Sequence, residues 1–188
     1  MNFGQTATNG KVNGLMESKQ PHNLVWQIRK ARDEWRIIFD GVSDEDGDRR
    51  LGRMNSLGWM MAHMAWHEQL IYMLLTGKLI APELNDLAAY GGAATTPRLS
   101  EVKELWEKVT PVVDEYLATL TVNDLLGRIS FPNGDPIPEN LGAILQRVNN
   151  HYFFHIGEAS AIRQLLEHTR FPEVMSDFNS VTYRPEQG

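Results

Sequence analysis

The sequence predicts an all-α protein: a four-helix bundle in up-down-down-up order, with long crossover loops and an irregular C-terminal tail. Three observations lead there. Four segments repeat apolar residues every three to four positions, the period of a helix with one buried face. The connection between the second and third segments, roughly 22 residues, is long enough to run the length of a bundle. The chain has 188 residues, 42% of them apolar and 22% charged, which suits one soluble domain with its own core.

The first segment opens at Pro21, a residue suited to a first helical turn, and closes before Gly41. Leu24, Ile28, Ala31, Trp35 and Ile38 form its apolar stripe. An acidic patch follows (Asp44, Glu45, Asp46, Asp48), with room for an extra helical turn. The second segment runs from a Ser56 cap to Thr76, with Gly77 as terminator. It is apolar over most of its circumference, so it belongs in the interior. The third runs from about Ser100 to Leu120, with Trp106, Val109 and Val113 inward and Pro111 inside it, where a kink is expected. Arg128–Pro138 holds an Asn133-Gly134 turn and three prolines, and reads as a short hairpin or an extended strap. The fourth and longest segment starts after Pro138 and reaches about His168. Residues 1–17 read as a mobile leader, and Phe171, Phe178 and Tyr183 are expected to pack part of the tail down.

Composition excludes several kinds of chemistry. A net charge of −6 gives no footprint for nucleic acid. No run approaches the 18–20 apolar residues of a membrane span, and the polar start is no signal peptide, so a cytoplasmic protein is expected. The absence of cysteine removes disulfides, thiolate metal sites and cysteine nucleophiles.

Against zero cysteines stand six histidines, four of them in two pairs at i, i+4. At ~100° per residue, His63 and His67 share a face with Trp59, Leu70 and Leu74. His151 and His155 fall inside the stripe of Ile144, Val148, Ile162 and Leu166, with Glu158 one turn on. A single inward histidine is more often a hydrogen-bonded core residue than a ligand. Two inward pairs change the balance, because burying four imidazoles without a partner costs several kcal/mol. Imidazoles at i, i+4 converge on one ion, and a third from a facing helix completes a set of three neutral nitrogen donors. Zincin and carboxylate-bridged di-iron patterns fail here: Ile71 stands three residues after Glu68, and Ala161 three after Glu158.

These two helices, NSLGWMMAHMAWHEQLIYMLLTG and NNHYFFHIGEASAIRQLL, resemble the signature helices of the DinB/YfiT-like metalloenzymes. The first family histidine falls on His63, after Ser56-Leu57-Gly58-Trp59. The second and third fall on His151 and His155, followed by Gly157 and Glu158, where many members have glutamine. The resemblance implies one bundle domain over residues 18–188, in the up-down-down-up order that the loop lengths favour. It also implies a divalent ion (zinc, nickel or iron) held by His63, His151 and His155, with water in an open position. Characterised relatives transfer low-molecular-weight thiols to electrophiles, and one is a mycothiol-dependent isomerase.

The resulting expectation is a metal-dependent transferase that takes a thiol cosubstrate and a small-molecule electrophile. Glu158 or His67 would serve as proton acceptor; alternatively His67, which is outside the family's three, is a fourth ligand or a polar residue of the pocket wall. The alternatives are a hydrolase using bound water, or a non-catalytic dimeric bundle that binds a small molecule or an ion. A homodimer is expected, with neither nucleic acid nor membrane as partner. If the chemistry is thiol transfer, the sulfur must arrive with the cosubstrate, since the chain has none to offer as thiol.

Overall fold

Ser56 and Asn140, both good N-cap residues, start the two helices that carry the histidine pairs. In the computed structural model, which describes residues 21–175, the Ser56 hydroxyl accepts from the Trp59 N–H and the Asn140 side chain from the Ala143 N–H. The elements are α1 (Asn23–Ile38), α2 (Asp44–Asp48), α3 (Leu57–Thr76), α4 (Leu84–Ala88), α5 (Leu99–Leu117), α6 (Val122–Leu126), β1 (Arg128–Ser130), β2 (Pro136–Asn140) and α7 (Leu141–Leu165). The described chain is thus mainly helical, and its one sheet is the antiparallel pair β1–β2. Residues 1–17, expected as a leader, lie outside the described residues, as do Phe178 and Tyr183 of the tail.

Local chemistry sets the ends. His22 caps α1, so the helix begins two residues after Pro21. Gly77 ends α3 at φ +73°, a left-handed conformation that glycine takes without a Cβ penalty. The acidic patch forms α2, capped by Ser43, and Asp44 reaches across to accept from the Ser100 N–H at 2.7 Å. That contact starts α5 at Leu99. Pro111 sits inside α5, which runs across it and stops at Leu117, three residues earlier than the sequence suggests. α7 stops at Leu165 because Glu167 turns to φ +59°. Of the two readings open for the Arg128–Pro138 segment, the hairpin forms, with Gly134 at φ +90° in its turn.

α1 and α5 are amphipathic. α3 buries twelve of its twenty residues, as its apolar circumference requires. Trp35, Met60, Met61, Met64, Trp106 and Tyr152 fill the centre at 1% exposure or less, and the Trp35 indole N–H points at the Met61 sulfur, 3.2 Å away. Contacts between helices give their relative sense. Trp35 meets Tyr152 and Ile38 meets Arg163, so α1 and α7 run alike. Gly58 lies against Pro97, just ahead of α5, and Tyr72 meets Tyr116, so α3 and α5 run alike. Arg32 meets Glu68 while Trp35 meets Met61, and His67 meets His151 while His63 meets His155, so α3 runs opposite to both α1 and α7. The long α3–α5 connection lets these two consecutive long helices run alike.

Gly58 is where α3 approaches that connection most closely. A methyl group there would overlap the Pro97 carbonyl oxygen, a backbone atom that cannot swing aside. Gly58→Ala is therefore expected to destabilise by about 1–3 kcal/mol despite the better helix propensity of alanine. Thermal unfolding measures it; an unchanged or raised Tm would contradict the close approach.

Candidate metal centre

Helical spacing puts His63 and His67 one turn apart on α3, and His151 and His155 one turn apart on α7. Because the two helices run in opposite senses, His67 meets His151 and His63 meets His155. The paired rings lie 4.6 and 5.5 Å apart between centroids. One ring nitrogen from each of His63, His151 and His155 lies within 4.8 Å of the other two. His63 and His155 are 4% exposed and His151 is half-buried.

The hydrogen bonds decide which nitrogens are free. His63 Nδ1 is 2.8 Å from the Ala88 carbonyl oxygen, which only accepts, so Nδ1 carries the proton and Nε2 a lone pair. His155 Nδ1 is 2.6 Å from a Glu158 carboxylate oxygen, which fixes the same tautomer. His155 Nε2 then faces His151 Nε2 at 2.9 Å, and His151 Nδ1 faces His67 Nδ1 at 3.2 Å. In the metal-free chain His151 must donate from Nε2 to separate two lone pairs. A cation among the Nε2 atoms would replace that proton, and His151 would then donate from Nδ1 to His67. Three neutral imidazoles, each with its far nitrogen facing an acceptor, form the ligand set expected around zinc, nickel or iron.

Rings hold this arrangement in place. Trp59 stacks on His63 at 4.5 Å between centroids and Trp66 flanks it at 5.5 Å, so the imidazole lies between two indoles. The Trp66 N–H donates to Asn85, tying α3 to α4, whose last residue is Ala88. Phe154 stands at the edge of His155 and is 61% exposed, marking the solvent side of the cluster.

Burial keeps all four imidazoles neutral. His67 is pushed down to about 3, by burial first and then by His151 and His63. His155 falls to about 3 and His151 to about 4, both mainly through burial, and His63 is lowered for the same reason. Burial raises Glu158. Neutral nitrogens are what a cation needs. An unfolded histidine takes up its proton near pH 6.5, whereas His67, His151 and His155 hold it off to about 3–4 in the folded chain. Between those limits the unfolded state binds more protons, so stability rises with pH and is lost as pH falls from about 6.5 toward 3. We expect none of His67, His151 and His155 in the metal-free protein to titrate between pH 8 and 5 by NMR. Titration of one at its ordinary value would contradict the burial described.

The structure brings together all five residues nominated from the sequence: His63, His67, His151, His155 and Glu158. His22 and His168 lie apart, the first capping α1 and the second bonded to Arg163 and 3.2 Å from Asp46. Two features escaped the sequence. One is the Ala88 carbonyl, a backbone atom in an Ala/Gly-rich connection with no side-chain signal. The other is a buried polar network behind the histidines, built on Arg32, Glu68, Asp114 and Tyr152. Its members are far apart in sequence, and only a charge recurring on an apolar face hints at them. No helix among the described residues is long and apolar enough to cross a membrane.

Residues 27–159 match a family described as the DinB superfamily. No curated protein matches the chain. Among solved structures, the chain is similar to one from Enterococcus faecalis, titled as a crystal structure of a conserved protein of a locus. The TM-score is 0.61 at 13% identity, over 77% of this chain and 95% of that one, a likeness of fold.

Proposed function

From the premise that the chain belongs to the DinB superfamily, we propose that His63, His151 and His155 hold one divalent ion and that the protein transfers a low-molecular-weight thiol to a small electrophile. The observation that carries this reading is the convergence of three neutral imidazole nitrogens from two helices, two of them on buried residues and one on a half-buried residue. Zinc, nickel or iron would suit that donor set. Such an ion supplies Lewis acidity, lowering the pKa of a thiol or water in its open position toward neutrality.

The chain's own residues do the rest. Ala88 O, Glu158 and His67 hold the far nitrogens of the three ligands, fixing ring orientation. Glu158 is the proton acceptor for the incoming thiol: it is half-buried, sits 2.6 Å from His155, and has a second carboxylate oxygen to offer. His67 is the other group able to take up a proton, through His151. Trp59, Trp66 and Phe154 give an apolar wall against which an electrophile can lie. With no cysteine in the chain, the nucleophilic sulfur comes with the cosubstrate. One domain over residues 18–188, a homodimer and a cytoplasmic location belong to the same reading.

The test is to strip the protein with chelator, reload it with zinc, nickel or ferrous ion, and follow consumption of several cellular thiols with a halogenated aromatic electrophile. Metal-dependent thiol consumption that Glu158→Ala reduces is the expected result. Equal rates with and without metal would overturn the proposal, and ester turnover without added thiol would turn it toward hydrolysis.

A further inference from the structure

Directly behind the histidines, Arg32 of α1 donates to both carboxylate oxygens of Glu68 of α3, at 2.9 and 2.5 Å. Tyr152 of α7 donates to the same carboxylate at 2.5 Å and accepts from the Trp106 indole N–H of α5 at 2.9 Å. Asp114 of α5 accepts from Arg32 at 2.7 Å and from Arg29 of α1. All four long helices thus meet in one buried network, with Arg32 at 4%, Glu68 at 2% and Tyr152 at 0% exposure.

Stability alone does not account for such a network, since apolar side chains of similar volume often hold a core as well as a buried ion pair or better. The sequence places it where register matters. Glu68 follows His67, and Tyr152 follows His151. The Tyr152–Glu68 bond therefore joins α3 and α7 at the level where His67 and His151 meet, and one turn along His63 meets His155. A bidentate guanidinium–carboxylate pair exists in one alignment only, whereas apolar contacts tolerate sliding. Ligands must be held to about 0.5 Å to act together on one ion.

We propose that Arg32, Glu68 and Tyr152 are positioning residues that lock α3 against α7 in the one register that brings the four imidazoles together. The proposal rests on the metal-centre reading for its consequence, and on the metal-free chain for its geometry.

Two variants test it, Arg32→Leu/Glu68→Leu and Tyr152→Phe, each with two readouts. The first readout is zinc affinity by competition with a chromophoric chelator. The second is the ring-to-ring nuclear Overhauser effect between His67 and His151 in the metal-free protein. The doubly apolar variant is expected to unfold within several degrees of the wild type, bind zinc at least tenfold more weakly, and lose the ring-to-ring signal. Tyr152→Phe should weaken both in the same direction, and it decides the matter if the double variant does not fold. Wild-type zinc affinity together with an undiminished ring signal in a folded variant would overturn the proposal. If the wild type takes up no zinc, the metal reading falls, while the ring signal still decides whether these residues set the register.

Discussion

Replacing His63, His151 or His155 singly with alanine is expected to weaken zinc binding by more than about 100-fold, beyond the ~10–100-fold loss typical when only a group behind a ligand is removed. Each of the three supplies one of the converging nitrogens, and two imidazoles alone leave an ion mostly to water. Glu158→Gln, which keeps a hydrogen-bond acceptor for His155 but removes the charge, should fall within the smaller range. His67→Ala should as well, because His67 touches His151 through the far nitrogen. The ordering, three large losses and two smaller ones, separates ligands from the groups that orient them. Equal losses at all five positions would instead indicate a general collapse of the pocket, and circular dichroism of the metal-free variants would identify it.

The largest stability effect is expected at Arg32. Arg32→Leu leaves the Glu68 carboxylate, 2% exposed, with the Tyr152 hydroxyl as its remaining partner within the network. Removing one member of a buried pair costs about 3–5 kcal/mol, because the other charge stays out of water without compensation. For a chain of this size that is a drop of about 6–20 °C in Tm. Asp114 does not add to the loss, since Arg29 grips it through three further bonds and holds its carboxyl below the usual range together with Arg32. Adding Glu68→Leu to Arg32→Leu should restore most of the stability. A single variant as stable as the wild type would mean that Glu68 reaches solvent, contrary to its place in the core.

Much of this was legible in the residues. Ser56 and Gly77 bracket α3 because cap chemistry is local, and local chemistry can be read from a few neighbouring positions. Asn133-Gly134 marked the turn for the same reason, though the three prolines around it left an extended strap equally open. The 3.6-residue period put His63, His67, His151 and His155 on inward faces, which is also local arithmetic. Their meeting across the bundle depends on helix sense, which only the length of the connection between α3 and α5 foreshadowed. The short helices α4 and α6 carry too few residues for a period to show, so the Ala88 carbonyl had no signature. Arg32 and Glu68 were hidden in another way: Arg32 reads as one of six charged residues of the amphipathic α1, and Glu68 as a lone carboxylate on the apolar α3. Only the packing of α1 on α3 turns the two into a pair.

Zinc titration of the metal-free protein, followed by the ring-nitrogen resonances of its histidines, tests the central claim most directly. One equivalent of zinc should shift the Nε2 signals of His63, His151 and His155 together and move the proton of His151 to Nδ1, with His22 and His168 unchanged. Zinc uptake that leaves those three Nε2 signals in place, or no uptake at all, would contradict the account.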